Sequence, residues 1–330
     1  MALEGKKVLL IGPPNYNYPL TVKKQLEKFG CEVHFYDERN NPTAIQKIIL
    51  RKASFLMNKS ISRYYDSILK KEESFNPDYV LFISPESVTS HIIKKMKLAF
   101  SRSEFILYMW DSIENKNAKN IYHLFDKCLS FDRNDCKRYN FIFRPLFYTN
   151  LIKACKEISE NNFHFDYGFI GTTHSDRPKT LYLLKKFCET NALTYFIYLF
   201  VPSRIMIAYY FLCNKYFRQL YKAGLVHSKT IDRLTVEKIM SQTNCVVDVN
   251  HPNQIGLTMR TIEMLGLGKK LLTTNADIVN YDFFNSNNIH VVDRHNPQFD
   301  ISFLNMSYQK IPEDIFNRYS IEQWTRDVMN

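Results

Sequence analysis

The sequence predicts two consecutive open α/β domains, each built around a parallel sheet. Short apolar runs alternate with helical segments up to about residue 149, and the same alternation starts again at Asp166. The 330 residues are enough for two domains of roughly 150 residues each. With 45% hydrophobic residues, each half can bury a core of its own.

The first domain opens with a β-α-β unit. Lys7–Ile11 is an apolar strand that ends at a Gly-Pro-Pro turn, Thr21–Phe29 has helical spacing, and Glu32–Asp37 is the next strand. The later elements of this domain are three strands and a helix: strands Asp78–Ile83, Phe105–Trp110 and Lys127–Phe131, and helix Thr89–Phe100. Residues 1–149 are therefore predicted to form an N-terminal Rossmann-like domain.

A second Rossmann-like domain is predicted over residues 165–305, after a polar helical connector at 150–164 and before a helical tail at 306–330. Its predicted strands are Asp166–Ile170, Leu193–Phe200, Cys245–Val249, Lys270–Thr274 and Ile289–Val292. Its predicted helices are Pro178–Thr190, a segment from about Ser203, and Met259–Leu267. Ligands of such sheets bind beyond the carboxyl ends of the strands, so the cleft between two such domains is the expected site.

The charge balance predicts an anionic partner or a role in solubility. Lys+Arg is 44 and Asp+Glu is 33, which gives a net charge of +11. The basic residues are dispersed, with no dense run and no zinc-finger spacing, so we expect no nucleic acid partner. Phosphorylated substrates and an acidic membrane remain as candidates.

Several features predict a cytoplasmic protein. The seven cysteines are scattered without a C-x-x-C pair, and no apolar signal segment precedes the first strand. The apolar stretch Tyr195–Cys213 is interrupted at Pro202, which leaves each half too short to cross a bilayer.

Aromatic and basic side chains near the end of this stretch predict a peripheral contact with an anionic membrane, on the inner face of the plasma membrane. The alternative is that these side chains pack in the core. They are Tyr209, Tyr210, Phe211, Tyr216, Phe217, Arg218 and Lys222.

A glycine-containing loop that opens a helix is the strongest candidate for binding a nucleotide. Backbone amides of Gly256, Leu257 and Thr258 at the helix start suit a diphosphate. Arg260 can pair with a phosphate, and Glu263 can accept hydrogen bonds from ribose hydroxyls. The alternative is an ordinary loop-helix-strand unit in which the glycines only turn the chain.

Three acidic residues at strand ends are candidates for a general base: Asp111, Glu86 and Asp132. A carboxylate at the carboxyl edge of a sheet could take the proton of an acceptor hydroxyl. The alternative role for each is to cap the helix that follows.

The loop-helix-strand stretch resembles the donor-binding segment of GT-B glycosyltransferases. Glu263–Gly268 keeps the spacing from acidic residue to glycine, while Asn253 and Gln254 stand where those enzymes often carry an acid. A longer set of segments resembles glycosyltransferase-like proteins of bacterial capsule and lipopolysaccharide biosynthesis: Tyr108–Ser112, Ser130–Asp135, Arg144–Tyr148, Tyr167–Arg177, Gly256–Glu263 and Lys269–Asn275.

The resemblance implies that the first domain binds the acceptor and the second binds the donor. Gly171 and Arg177 match the glycine and the basic residue that meet donor phosphates in GT-B enzymes, with Thr172 between them. His174 could bond a phosphate or a sugar hydroxyl, or be a surface histidine without a ligand.

The implied activity is transfer of a sugar from a nucleotide sugar to a lipid-linked or growing glycan acceptor. Two alternatives stay open, a non-catalytic nucleotide-sugar-binding partner and a GT-B-like nucleotide-sugar epimerase. Because the chain has no D-x-D triplet, we expect no obligatory metal and no cofactor apart from the nucleotide sugar as substrate.

Overall fold

The computed structural model describes residues 3–14, 17–39, 58–114, 118–149, 163–252 and 254–330. The chain forms two compact units, Met1–Pro145 with Ile321–Asn330, and Leu146–Ser320. Each unit holds its own six-stranded parallel sheet with helices, which confirms the predicted fold class.

Unit 1 has the strand order β2-β1-β3-β4-β5-β6. Its strands are β1 (Lys7–Gly12), β2 (Glu32–Asp37), β3 (Tyr79–Ile83), β4 (Glu104–Met109), β5 (Lys127–Ser130) and β6 (Ile142–Phe143). Its helices are α1 (Tyr18–Lys28), α2 (Asn58–Glu72), α3 (Ser90–Ala99), α4 (Arg133–Tyr139) and, from the end of the chain, α12 (Ile321–Met329).

The core of unit 1 follows from its strand sequences. β1 and β3 are apolar along their length because helices cover both faces of a parallel sheet. Leu9 lies opposite Val80 in the register of these two strands, and both side chains are fully buried.

Helix α12 belongs to unit 1 although it is the last element of the chain. The indole of Trp324 is fully buried and packs edge-on against Tyr108 of β4, with ring centres 4.7 Å apart. Lys127 Nζ donates to the backbone oxygens of Asp327 and Val328, at 3.1 Å each. The predicted helical tail is thus two helices, and the second completes the first unit.

Unit 2 has the strand order β12-β11-β10-β7-β8-β9. Its strands are β7 (Phe165–Thr172), β8 (Tyr195–Phe200), β9 (Val226–His227), β10 (Thr243–Asp248), β11 (Lys270–Thr273) and β12 (Ile289–Val291). Its helices are α5 (Arg177–Thr190), α6 (Arg204–Cys213), α7 (Lys215–Lys222), α8 (Arg233–Ser241), α9 (Met259–Leu267), α10 (Ile301–Asn305) and α11 (Glu313–Arg318).

The two central strands of unit 2 approach closely because β7 carries a glycine. A Cβ added at Gly168 would lie 2.6 Å from Thr243 Oγ1 of β10, far inside contact distance. From β7 the chain proceeds to β8 and β9 on one side and returns to β10 on the other. The chain therefore reverses its direction across the sheet between the neighbouring strands β7 and β10. This is the switch point of the sheet, and ligands of open α/β sheets bind at the carboxyl ends of the strands there.

The helical connector predicted at 150–164 lies outside the described residues, except for Phe163 and His164. The predicted strand and helix within Tyr195–Cys213 are confirmed as β8 and α6. In the portion of the chain that the structure describes, no helix has both the length and the apolar character of a membrane span.

Candidate functional site

The candidate site of unit 2 lies at the carboxyl edge of β7 and β10. Both strands are parallel and adjacent, and each is followed by a loop and a helix, α5 and α9 respectively. The two helix N-termini therefore lie at the same edge, where their dipoles favour an anion.

Arg177 ties the two loops together. Its Nε donates to the Val249 oxygen at 2.7 Å, and its Nη1 donates to the Thr172 oxygen at 2.8 Å. Gly171 makes room for this arrangement, because an added Cβ would lie 2.9 Å from Phe169 Cζ and 3.3 Å from Arg177 Nη1. Thr172 thus acts here mainly through its backbone oxygen.

Arg260, in the first turn of α9, lies close to the same aromatic ring. The guanidinium carbons of Arg177 and Arg260 are 5.5 and 5.7 Å from the centre of the Phe169 ring. Within the described residues, Nη1 of Arg260 is buried and has no hydrogen-bond partner. A buried donor without a partner is costly, so this position suits an oxygen supplied by a ligand.

His174 is held neutral in this environment. Burial first, and then the positive charges of Arg177, His251 and Arg294, lower its pKa from 6.5 to about 3. Its Nδ1 lies 2.8 Å from Ser175 Oγ, and its ring packs against His251 with centres 5.6 Å apart. The neutral ring can exchange hydrogen bonds with a phosphate or a hydroxyl without carrying a charge.

Arg294 is a further cation of this edge that the sequence reasoning missed. Its Nη1 donates to Asp176 Oδ1 at 2.7 Å, and its Nη2 donates to the Asn250 oxygen at 2.8 Å and to Thr274 Oγ1 at 3.1 Å. It follows β12, at the far side of the sheet from β7, so a long side chain is needed to reach the loop before α5.

The start of α9 is fixed from within unit 2. Thr258 caps the helix by accepting from the Thr261 N–H at 3.3 Å, and its hydroxyl donates to Asp248 Oδ2 at 3.0 Å. Leu257 is buried in the core, so only its backbone can meet a ligand. Gly256 is also buried, whereas Glu263 is half-buried in the second turn. Asn253 lies outside the described residues.

The candidate base Asp111 lies in a segment of unit 1 that is held at both ends. The Trp110 N–H donates to Ser84 Oγ at 2.8 Å, and the Ile113 N–H donates to Asp135 Oδ2 at 2.7 Å. Asp111 itself is half-buried just beyond the carboxyl end of β4. Its role as a base stays a prediction.

The other two acidic candidates have structural contacts. Asp132 caps α4, since its Oδ1 accepts from the Asn134 N–H at 2.9 Å and from the Asp135 N–H at 3.4 Å. Glu86 Oε2 lies 3.8 Å from Nη1 of the buried Arg39. The capping alternative is therefore found at Asp132, and a catalytic role for either residue stays a prediction.

No protein-family model and no curated protein sequence matches the chain. Solved structures do match. An alpha-glucosyltransferase in complex with UDP and a mismatched 13-mer DNA has a TM-score of 0.59 at 15% identity, covering 99% of this chain and 100% of that one. Sucrose-phosphate synthase from Thermosynechococcus elongatus has a TM-score of 0.56 at 8% identity, covering 98% and 94%.

The chain has the GT-B fold. The same fold is shared with UDP-GlcNAc 2-epimerase from Neisseria meningitidis bound to UDP-GlcNAc, at a TM-score of 0.53 and 12% identity, covering 98% of both chains. Transferases and epimerases thus both lie among the structural neighbours.

Proposed function

We propose that the chain is a glycosyltransferase that moves a sugar from a nucleotide-sugar donor to a lipid-linked or growing surface-polysaccharide acceptor in capsule or lipopolysaccharide synthesis. The observation that carries the proposal is the cationic edge of unit 2. Among the described residues, Nη1 of Arg260 is buried there without a hydrogen-bond partner, and its guanidinium lies close to the same Phe169 ring as that of Arg177. Two helix N-termini lie at this edge.

A nucleoside diphosphate fits this edge better than a neutral ligand. Three arginines gather there, Arg177, Arg260 and Arg294, and the Asp176 carboxylate pairs with Arg294. Clustered cations repel one another, and an anion with several oxygens would relieve that repulsion. The N-terminus of α5 adds its helix dipole, which favours an anion at this edge.

The same groups would assist the reaction. As the bond from sugar to phosphate breaks, negative charge grows on the departing diphosphate. A planar guanidinium at Arg260 and the helix dipoles would stabilise that charge in place. Glu263 would hold the ribose, because a carboxylate accepts hydrogen bonds from vicinal hydroxyls.

An inverting transfer also needs a base for the acceptor hydroxyl, and we assign this role to Asp111. Its backbone is positioned by Ser84 and Asp135 through the neighbouring amides of Trp110 and Ile113.

We further propose that the arginines of unit 2 take the place of a metal ion in neutralising the donor diphosphate.

An epimerase acting on a free nucleotide sugar is the second candidate, favoured by the likeness in fold to the meningococcal epimerase. The two reactions differ in their need for an acceptor. An epimerase converts the nucleotide sugar alone, whereas a transferase releases the nucleoside diphosphate only as sugar is transferred or hydrolysed.

The test is a melting-temperature screen with UDP, ADP, GDP and TDP sugars, followed by product analysis. A bound donor should raise the melting temperature by mass action. Proton NMR of the best donor, with and without membrane glycolipid extract, then separates the reactions. Transfer predicts release of the nucleoside diphosphate that depends on the extract. Conversion of the sugar without an acceptor would favour the epimerase, and absence of any stabilising donor would contradict both.

A further inference from the structure

Helix α6 presents an apolar face to solvent. Ile205, Tyr209 and Leu212 recur at helical spacing and are 82%, 61% and 73% exposed. None of the residues of α6 is buried, although Tyr210 and Phe211 pack from its other side against the core of unit 2. Contiguous exposed apolar side chains on one helix face are typical of an interaction surface.

Hydrogen bonds from α7 hold the end of α6 in this position. Arg218 of α7 donates from Nε to the Phe211 oxygen and from Nη2 to the Leu212 oxygen, at 3.0 Å each. These bonds satisfy carbonyls at the end of α6. α7 in turn is anchored by Phe217, which is fully buried in the core. Phe217 was among the aromatic residues predicted to contact a membrane, but it is a core residue, as the alternative prediction had it.

The stretch of chain that carries the apolar face has basic residues and no acidic ones. No aspartate or glutamate occurs between Glu189 and Asp232. The cations of this stretch are Arg204, Lys215, Arg218, Lys222 and Lys229. A second copy of the chain would bring the same positive charges to the contact, whereas an anionic surface would neutralise them.

We propose that α6 and the start of α7 dock unit 2 on an anionic lipid surface. The helix lies in the plane of the headgroups, its apolar face inserts among the acyl chains, and the lysines meet lipid phosphates. Tyr209 suits this boundary because it has an apolar ring and a polar hydroxyl. The inference goes beyond sugar transfer and does not depend on it.

Vesicle sedimentation tests the proposal with the full chain. Vesicles of equal parts phosphatidylcholine and phosphatidylglycerol should bind the protein, those of phosphatidylcholine alone should bind it much less, and salt should weaken binding. Ile205→Ser with Leu212→Ser should weaken binding about tenfold or more, because two inserted side chains are lost. Lys215→Gln with Lys222→Gln should weaken it about fivefold per lysine.

The matched control is Leu98→Ser with Leu234→Ser, which removes two apolar side chains that are 82% and 77% exposed elsewhere. The control should bind vesicles as the wild type does. All variants should keep the wild-type melting temperature, because the changed side chains are exposed. In the Tyr209→Trp variant, brominated acyl chains should quench the added tryptophan fluorescence. Such quenching reports insertion among the acyl chains and not only attraction to the headgroups.

Three results would overturn the proposal. One is equal binding to both kinds of vesicle, and another is wild-type binding by the Ile205→Ser, Leu212→Ser protein. The third is sedimentation velocity showing, without lipid, a dimer that this double variant abolishes, since the face would then serve a second copy.

Discussion

Arg177 Nε donates a hydrogen bond of 2.7 Å to the backbone oxygen of Val249, and so joins the loop after β7 to the loop after β10. These two loops flank the switch point of the unit 2 sheet. The arginine therefore both shapes the candidate site and adds to its positive charge.

Replacing Arg177 with lysine should separate the effect of its hydrogen bonds to the two loops from the effect of its positive charge. A single ammonium keeps the charge but cannot reproduce a fork that bonds Val249 and Thr172 at once. We expect the free energy of unfolding, from urea titration, to fall by about 1–2 kcal/mol. UDP affinity by calorimetry should fall with it. Arg138→Lys, at an exposed arginine of unit 1, is the control, and unchanged stability in Arg177→Lys would disprove the linking role.

Glu263→Ala should weaken nucleotide binding by roughly 1–3 kcal/mol, because the ribose hydroxyls lose their acceptor. Calorimetry should show the same loss when wild-type protein is given 2′,3′-dideoxyuridine diphosphate in place of UDP. The variant should no longer distinguish the two nucleotides. If Glu263→Ala binds UDP with wild-type affinity while its fold is intact, the ribose role is wrong.

His174 should make the protein less stable in mild acid. Its pKa is about 3 in the folded chain and about 6.5 when unfolded, so between these values only the unfolded state takes up the proton. Stability is then unaffected above pH 6.5 and falls as the pH drops below it. After allowing for partial solvent screening, we expect roughly 1 kcal/mol of this loss by pH 5.

Urea titration at pH 7 and pH 5 measures that loss. His174→Gln should lose less stability over this interval than the wild type, while His91→Gln, at an exposed histidine, should follow the wild type. Equal losses in the wild type and His174→Gln would show that this histidine titrates normally.

Asp111→Asn should slow turnover by roughly 10²–10⁴-fold if the enzyme inverts, since the amide keeps the shape but cannot accept the proton. Nucleotide affinity should be unchanged. Glu86→Gln is the paired variant, and activity lost there but kept in Asp111→Asn would move the role to Glu86. If both variants stay active, NMR of the product anomer decides between a base elsewhere and a retaining reaction.

Activity should persist in the presence of EDTA if the arginines replace a metal ion. The measurement is transfer rate in enzyme dialysed against chelator, with and without added Mg²⁺ or Mn²⁺. A rate that vanishes on chelation and returns with a metal would contradict this part of the proposal.

Much of the fold could be predicted from the chain because buried parallel strands are apolar runs bounded by turns. The strands β6 and β9, which the prediction lacks, are only two residues long and carry no usable pattern. Helix α2 is also absent from the prediction. Yet Ile61, Tyr65 and Ile68 are buried at helical spacing, so a signal for it was present.

The candidate site could be predicted only where residues end a strand or follow it closely. Gly171 lies at the carboxyl end of β7 and Arg177 opens the helix that follows, so their position at the sheet edge follows from local sequence. Arg294 could not be placed in this way. It reaches Asp176 only because the sheet order brings β12 to the same edge, and strand order is set by long-range packing.

The most direct test of the central claim is calorimetry of pyrophosphate and UDP binding to the wild type, Arg260→Gln and the control Arg138→Gln. Pyrophosphate probes the phosphate site whatever base the donor carries. A charged hydrogen bond supplied by Arg260 predicts that Arg260→Gln binds both ligands roughly 10–100-fold more weakly, with the control unchanged. Wild-type affinity of Arg260→Gln for both ligands would contradict the assignment of a donor diphosphate site to this edge of unit 2.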